Sequence, residues 1–225
     1  LVAMKSLEEM LQTHGGRDVV IRTLGYACLL SSGLTKGNLS RKLRVASSEF
    51  SHCRVVCRLL DDWPMLQYSL SYGLGKHESD STLQMLGVLK NIADQAFYPI
   101  EHISWLCNKK IISLDGGRWE TAGTVLWAIS LYCGIARSLR TINLLQRKRV
   151  KLSSLKGDST REECDLVARE QLGHLLGVMR NIADLINAIS WLPWQFLWAG
   201  KLRPWHNGLL GLLSSLISLA SQLLL

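Results

Sequence analysis

The sequence predicts an all-α integral membrane protein with an N-terminal amphipathic helical region, two transmembrane helices, and an internally repeated unit of a helix followed by a membrane helix. Three observations predict this fold. Hydrophobic residues make up 48% of the 225 residues although the net charge is +8, so apolar and charged residues are segregated along the chain. Two uncharged segments approach the length of a membrane span. One nine-residue phrase occurs twice.

The repeated phrase reads Leu-Gly-Val-Leu-Lys-Asn-Ile-Ala-Asp at residues 86–94 and Leu-Gly-Val-Met-Arg-Asn-Ile-Ala-Asp at residues 176–184. The copies differ at two positions, both conservatively. Each copy leads to an Ile-Ser-Trp-Leu, at residues 103–106 and 189–192, and then to an apolar segment. Related halves of this kind are familiar in membrane folds.

Residues 1–118 are predicted to form a cytosolic helical region whose main feature is a basic amphipathic helix at residues 39–60. Its apolar side chains recur every three or four positions, and basic side chains flank them. Such a helix can lie in a membrane surface, where each basic residue near anionic lipid contributes about 1 kcal/mol. The predicted membrane-binding residues are Leu39, Arg41, Lys42, Leu43, Arg44, Ala46, Phe50, Arg54, Val56, Arg58 and Leu60.

An alternative for the basic helix is that its apolar stripe packs on neighbouring helices while the arginines stay solvated, and the periodicity does not separate the two. The Trp before Pro64 should end this helix. A capping box at residues 81–84 is predicted to start the helix that carries the first repeat, and Pro99 to end or kink it. Residues 159–162 offer the same start signal before the second repeat.

Two segments are predicted to cross the membrane. Residues 121–136 carry no charge but as a helix reach only about 24 Å, so Trp119 and a snorkelling Arg137 are needed to complete a first span at residues 119–139. Residues 207–225 form an uncharged run of 19 residues, which meets the length for a second span. The main alternative is a soluble bundle in which these helices are buried.

Between the two spans, residues 140–206 are predicted to form a basic loop, an amphipathic helix and a Trp-rich segment that Pro193 interrupts. We expect that segment to lie along the membrane interface, since Trp favours the headgroup region. The predicted membrane-interface residues are Trp119, Arg137, Trp191, Trp194 and Trp198.

Catalysis is not predicted. Asp94, Glu101 and His102 stand close in sequence, but Pro99 breaks their spacing, and no nucleophile or phosphate-binding motif is present. We therefore predict no enzyme activity, catalytic residue, metal site or cofactor. The basic run at residues 137–156 follows a membrane helix, which favours lipid headgroups over nucleic acid as its partner.

Several longer phrases resemble the peroxisomal membrane protein 11 family: Arg-Leu-Leu-Asp-Asp at residues 58–62, Tyr-Gly-Leu-Gly at 72–75, and Asn-Ile-Ala-Asp-Gln-Ala-Phe-Tyr-Pro-Ile-Glu-His at 91–102. Leu-Trp-Ala-Gly-Lys at 197–201 and Gly-Leu-Leu-Gly-Leu-Leu-Ser-Ser-Leu-Ile-Ser at 208–218 are most similar to its gamma (C) form. The resemblance implies a multi-pass protein of the peroxisomal membrane with two membrane helices and both ends in the cytosol.

The resemblance also implies a function and partners. The function is to promote membrane curvature, protrusion and elongation of peroxisomes ahead of fission, which controls peroxisome number and size. The implied partners are peroxisomal membrane lipids, further copies of the chain and sister isoforms, tail-anchored fission adaptors and a dynamin-related GTPase. In this family an N-terminal amphipathic helix is held to bend the membrane, and residues 39–60 fall in the matching region. A peroxisomal membrane channel for small metabolites is the alternative, although neither predicted span has an interior charge.

Overall fold

The computed structural model describes residues 8–154 and 158–224, and the side chains of residues 8–154 and 161–222. Residues 1–7 of the predicted N-terminal region and Leu225 of the predicted second span therefore lie outside it. All regular secondary structure within the described residues is helical, which confirms the all-α prediction. Residues 8–12 are helical, and the helices that follow are α1 (His14–Leu34), α2 (Gly37–Arg58), α3 (Asp62–Tyr72), α4 (Ser81–Asn108), α5 (Gly116–Ser153), α6 (Asp158–Ser190) and α7 (Pro204–Leu224).

Polar side chains start three of these helices by accepting hydrogen bonds from free backbone N–H groups. The Thr13 hydroxyl accepts from Gly16 N at 3.0 Å, and Asp115 accepts from Gly117 N at 3.1 Å at the start of α5. Asp80 caps α4, where the prediction had placed the cap at Ser81. The reason is that the Asp80 carboxylate also pairs with Arg140 of α5, at 2.6 Å, and is held at the helix start by both contacts.

Three other predicted boundaries differ in the structure. The chain does not leave the helix at Pro99, because α4 packs on α5 both before and after that residue and the packing outweighs one lost hydrogen bond. The basic helix ends at Arg58 and not at residue 60, since α3 starts at Asp62 and takes Pro64 into its first turn. Residues 140–153 of the predicted basic loop continue α5 as helix.

The helices pack in an order that differs from their order in the chain. Helix α2 packs on α1, α1 on α7, α7 on α6, α6 on α5 and α5 on α4, while α3 covers part of α4. Helix α2 also reaches α4, which brings the two ends of this row together. The first and last parts of the chain are thus joined through the contact between α1 and α7.

Glycines allow α1 and α7 to approach each other backbone to backbone. A methyl group built at Gly208 would lie 2.5 Å from Leu30 N, and one at Gly211 would lie 2.4 Å from the Tyr26 ring. A methyl group built at Gly33 would likewise lie 2.2 Å from Trp205 Cβ. Small residues at such crossings are typical of helices that associate in membranes.

The two copies of the repeated phrase lie in α4 and α6, and α5 passes between them. A methyl group built at Gly134 of α5 would lie 2.8 Å from Asn181 Nδ2 and 3.8 Å from Lys90 Cε. Lys90 is the fifth residue of the first copy of the phrase, and Asn181 is the sixth residue of the second copy. Asn91 and Asn181, which correspond, are both buried.

Candidate membrane-binding surface

The described part of the protein buries as many polar side chains as apolar ones and exposes many large apolar side chains. Its largest fully buried side chains are Asn187, Ser32, Ser214 and Ser215, whereas soluble proteins bury chiefly aliphatic and aromatic groups. Large apolar side chains point outward from four helices, and we call them the apolar belt. They are Met85, Leu89 and Ile92 of α4, Ile129, Tyr132 and Leu139 of α5, Leu172, Leu175, Met179 and Ile182 of α6, and Leu209, Leu213 and Leu216 of α7.

Contacts between the helices place the apolar belt at a similar height along the axes of the four helices. Lys90 of α4 and Asn181 of α6 both approach Gly134 of α5, and members of the apolar belt lie within a few residues of each of these positions. Ser214 of α7 joins the same level through Arg22, which also binds Asp184 of α6. The interior combines polar and apolar side chains, and the large apolar side chains on the outside are expected for helices surrounded by lipid.

By length and composition, α5 is the helix in the described part of the chain that can cross a membrane. Only 28% of its most apolar stretch is buried within the protein. Among the described residues, no second helix meets the same test of length and composition. The second span therefore stays a prediction.

A buried polar network connects three helices that are distant in sequence. The Arg22 guanidinium of α1 donates to Asp184 of α6 at 2.5 Å and to the Ser214 hydroxyl of α7 at 2.7 Å. The Arg22 and Asp184 side chains are only 14% and 6% exposed. Sequence reasoning missed this network, although a charged residue within an apolar helical segment was the signal for it.

The N-terminal half of α2 presents cations to the outside. Arg41, Lys42 and Arg44 are exposed, and beside them Leu39 and Val45 are 55% and 57% exposed. The described structure thus leaves this end of the helix with both a charged and an apolar outward surface.

The middle of α2 packs on α1. Ser47 is buried, and Phe50 Cβ would lie 3.2 Å from a methyl group built at Gly25; Leu43 and Ala46 are half-buried. Part of the predicted apolar stripe is therefore used within the protein, as the alternative interpretation of this helix expected.

The C-terminal half of α2 turns its cations inward. Arg54 binds both carboxylate oxygens of Asp18 at 2.7 and 2.9 Å, and Arg58 forms a two-pronged ion pair with Glu101. Burial raises the pKa of the Asp18 carboxyl, but the hydrogen bond and charge of Arg54 outweigh burial, so that pKa lies below its usual value. Arg54 and Arg58, predicted to bind membrane, are therefore committed to α1 and α4, while Val56 and Leu60 remain exposed.

The predicted interface residues have several environments. Trp191 stacks on Trp127 with ring centroids 5.6 Å apart, and the Trp198 indole N–H donates to Ile186 O at 2.9 Å. Trp119 is half-buried and Trp194 is 55% exposed.

Arg137 does not extend outward as predicted for a snorkelling side chain. Its guanidinium pairs with Glu78 and approaches the Tyr72 hydroxyl at 3.4 Å. Glu78 lies 59 residues earlier in the chain, so residue spacing gave no sign of the pair. The arginine therefore anchors the segment between α3 and α4 on α5.

Helix α3 is an exposed apolar element that sequence reasoning missed. Trp63, Leu66 and Leu70 are 66%, 37% and 74% exposed. Their spacing of three or four residues was the available signal, since it places them on one side of a helix. The opposite side binds α4, where the Ser69 hydroxyl lies 2.8 Å from Asn91 Oδ1.

The acidic residues and histidine that stand close in sequence are separated into different pairs. Asp94 pairs with Lys90, Glu101 pairs with Arg58, and His102 lies 3.1 Å from Asp62. Within residues 8–154 and 161–222, no cluster of three His, Cys, Asp or Glu side chains has the arrangement of a metal site.

Comparison with known proteins identifies the family. The model of the family described as Peroxisomal biogenesis factor 11 (PEX11) matches residues 4–223. The chain is 38% identical to Peroxisomal membrane protein 11C of Homo sapiens and to that of Mus musculus, over 97% of this chain and 94% and 93% of theirs. It is 28% identical to Peroxisomal membrane protein PMP27 of Saccharomyces cerevisiae, over 60% of this chain and 57% of that protein. No solved structure matches the chain. The chain belongs to the peroxisomal biogenesis factor 11 family.

Proposed function

We propose that the protein is a multi-pass protein of the peroxisomal membrane, with both ends in the cytosol, that promotes membrane curvature, protrusion and elongation ahead of fission. It thereby controls peroxisome number and size. Two findings support the location: the relatives are named peroxisomal membrane proteins, and the apolar belt covers outward sides of four helices. Membership of a family of peroxisomal biogenesis factors supports the process.

The anchor consists of α5 and α7, which cross the membrane within residues 119–139 and 207–225. The outward sides of α4 and α6 contact lipid beside them, because members of the apolar belt lie on all four helices. Each repeated unit then supplies one spanning helix and one helix packed against it. Glycine and serine at the contacts let the helices approach closely, as membrane packing requires.

The curvature comes from surface helices that enter one leaflet. The observation that carries this proposal is the outward surface of α2, where Arg41, Lys42 and Arg44 stand beside exposed Leu39 and Val45. Cations attract anionic headgroups while apolar side chains enter the acyl boundary. The exposed apolar side of α3 adds a second inserted surface. Material added to one leaflet alone expands it and bends the bilayer.

Association of several copies of the protein concentrates the inserted surfaces of α2 and α3 in one area of the membrane. Further copies of the chain and sister isoforms draw out a tubule together, and tail-anchored adaptors with a dynamin-related GTPase then cut it. Membrane lipids are the ligands in this mechanism, and no enzymatic step by this chain is required.

The triple variant Arg41→Glu, Lys42→Glu, Arg44→Glu is expected to abolish tubulation. Three basic contacts with anionic lipid contribute about 3 kcal/mol, and reversing them adds repulsion. The full chain is reconstituted into liposomes that contain anionic phospholipid, and tubules are counted by electron microscopy. Resistance to alkaline extraction should be unchanged, since the anchor helices are intact.

The matched control reverses three exposed cations at the other end of the protein, Arg147→Glu, Lys148→Glu and Arg149→Glu. It makes the same change in net charge but leaves α2 unaltered. In the proposed topology these residues face the headgroups of the matrix leaflet and not the cytosolic leaflet that α2 enters, so tubules should persist. Tubulation that is equal in both variants and in the wild type would contradict the role of α2. Ion conductance that both variants retain, without tubulation by any of the three proteins, would favour the metabolite channel.

A further inference from the structure

A small cavity lies between α5, α6 and α7. Its volume is about 240 Å³, which is below the range of roughly 300–1,000 Å³ that is typical of sites for drug-sized ligands. Polar residues from all three helices line it, namely Ser138 of α5, His174 and Arg180 of α6, and Ser221 of α7. Within the described residues, no aspartate or glutamate lines the cavity. Its size and walls therefore suit a small polar group.

Arg180 brings a positive charge to this cavity, and the repeat shows why the charge lacks a carboxylate of its own. In the first copy, Lys90 pairs with Asp94 four residues later. Arg180 and Asp184 hold the same two positions in the second copy. However, Asp184 binds Arg22 of α1 at 2.5 Å, so two guanidinium groups stand near a single carboxylate.

The surroundings of Arg180 leave its charge poorly compensated. Its side chain is half-buried, and its Nε donates to Asn181 Oδ1 at 3.4 Å, which is a long hydrogen bond to a neutral acceptor. Burial lowers the pKa of the Arg180 guanidinium more than the charge of Asp184 raises it. Charged groups removed from water are normally paired, and an anion in the cavity supplies the pair.

The first copy of the repeat fills the corresponding groove with its own chain. A methyl group built at Gly87 would collide with the Tyr72 hydroxyl, so the groove between α4 and α5 is occupied there. The Glu78 carboxylate lies 3.5 Å from the same hydroxyl and pairs with Arg137 of α5. The groove of the first copy thus contains an acidic group beside a basic one.

The groove of the second copy is open. Gly177 holds the position of Gly87 in the phrase, but the nearest atom to a methyl group built there would be Ser138 Oγ at 3.9 Å. This space belongs to the cavity, because both residues line it. The second groove therefore has a cation and room for an acidic group, whereas the first already holds its acidic group.

We propose that the cavity between α5, α6 and α7 binds a phosphate group. Arg180 supplies the charge, and the hydroxyls of Ser138 and Ser221 and a ring N–H of His174 can donate from the other sides. Several donors around one arginine suit the acceptor oxygens of a phosphate. The phosphate is a soluble ion or the head group of a phospholipid whose acyl chains stay outside. No residue of α2 or α3 takes part, so the inference goes beyond the proposed function and does not depend on it.

The test uses the full chain in a maltoside detergent and a phosphate-free buffer. Isothermal titration calorimetry, with protein-free micelles as the blank, compares inorganic phosphate, dihexanoyl phosphatidic acid and dihexanoylglycerol. We expect saturable binding of a phosphate-bearing probe and no binding of dihexanoylglycerol. Inorganic phosphate that binds as tightly as the phosphatidic acid indicates a soluble source, whereas binding of the phosphatidic acid alone indicates a head group. Binding of neither, or equal binding of dihexanoylglycerol and the phosphatidic acid, would overturn the proposal.

The repeat supplies a matched pair of variants. Arg180→Gln should weaken binding of the phosphate-bearing probe at least tenfold, because it removes the charged donor. Lys90→Gln makes the same change in net charge at the corresponding position of the first copy, where Asp94 already pairs with the lysine, and should leave binding unchanged. Wild-type affinity in Arg180→Gln, or an equal loss in both variants, would refute the site.

Two further variants keep the proposal testable if Arg180→Gln fails to fold. Ser138→Ala and Ser221→Ala each remove one hydroxyl from a half-buried position of the cavity wall. Each should weaken binding of the same probe about fivefold, while the circular dichroism spectrum stays that of the wild type. Unchanged affinity in both serine variants would contradict the proposed arrangement of donors around the phosphate.

Discussion

Asp184→Ala is expected to lower the free energy of unfolding by about 3–5 kcal/mol, the loss typical when one partner of a buried ion pair is removed. The Arg22 side chain, which is 14% exposed, would keep its contacts with Ser214 and the Tyr26 ring but lose the carboxylate that pairs with it. The three-helix contact between α1, α6 and α7 would lose its central charge. Denaturant unfolding of the detergent-solubilised protein, followed by circular dichroism, measures the change.

The repeat supplies the control for this variant. Asp94 occupies the same position in the first copy, but its carboxylate pairs with Lys90 in its own helix, and both are more exposed. Asp94→Ala should therefore cost much less than Asp184→Ala. The double variant Arg22→Met, Asp184→Leu should recover most of the loss, because apolar residues of similar volume replace a buried pair well. Equal losses at Asp94 and Asp184 would show that the network between the three helices is unimportant.

Gly208→Ala is expected to cost about 3 kcal/mol, at the upper end of the range for overpacking. A methyl group there would lie 2.5 Å from Leu30 N and 2.9 Å from Leu30 Cα. Backbone atoms cannot turn aside as a flexible side chain can, so α1 and α7 must separate. The separation also strains the contact of Arg22 with Ser214. The same unfolding measurement applies.

Gly177→Ala is the matched control, since the nearest atom to the added methyl group would be Ser138 Oγ at 3.9 Å. With space available, alanine should stabilise the helix by about 0.5–1 kcal/mol relative to glycine. A similar destabilisation by both variants would mean that the close approach of α1 and α7 does not determine stability.

Local patterns predicted the fold well where neighbouring residues decide the structure. The periodicity at residues 39–60 identified α2 within two residues at each end, and both copies of the repeat lie in helices as their patterns indicated. Pro99 was the exception. A proline is unfavourable inside an isolated helix, but the packing of α4 along α5 stabilises the helix on both sides of it.

The surface was harder to predict because partners distant in sequence decide which side of a helix faces outward. Arg54 and Arg58 are basic, like the outward residues near the start of α2. Their carboxylate partners nevertheless lie 36 and 43 residues away in the sequence, on α1 and α4. A hydrophobic period shows that a helix has two sides and does not show which neighbour covers each.

The attachment of α1 to α7 determines how a force on the membrane surface travels through the protein. Helix α2 packs along α1, and α1 is fixed to the anchor by glycine contacts and by Arg22. The hairpin of α1 and α2 is therefore held to α7 by close packing and to α6 by a buried ion pair. In the proposed topology, where α7 crosses the membrane, lateral pressure on the exposed end of α2 is passed to α7 as torque.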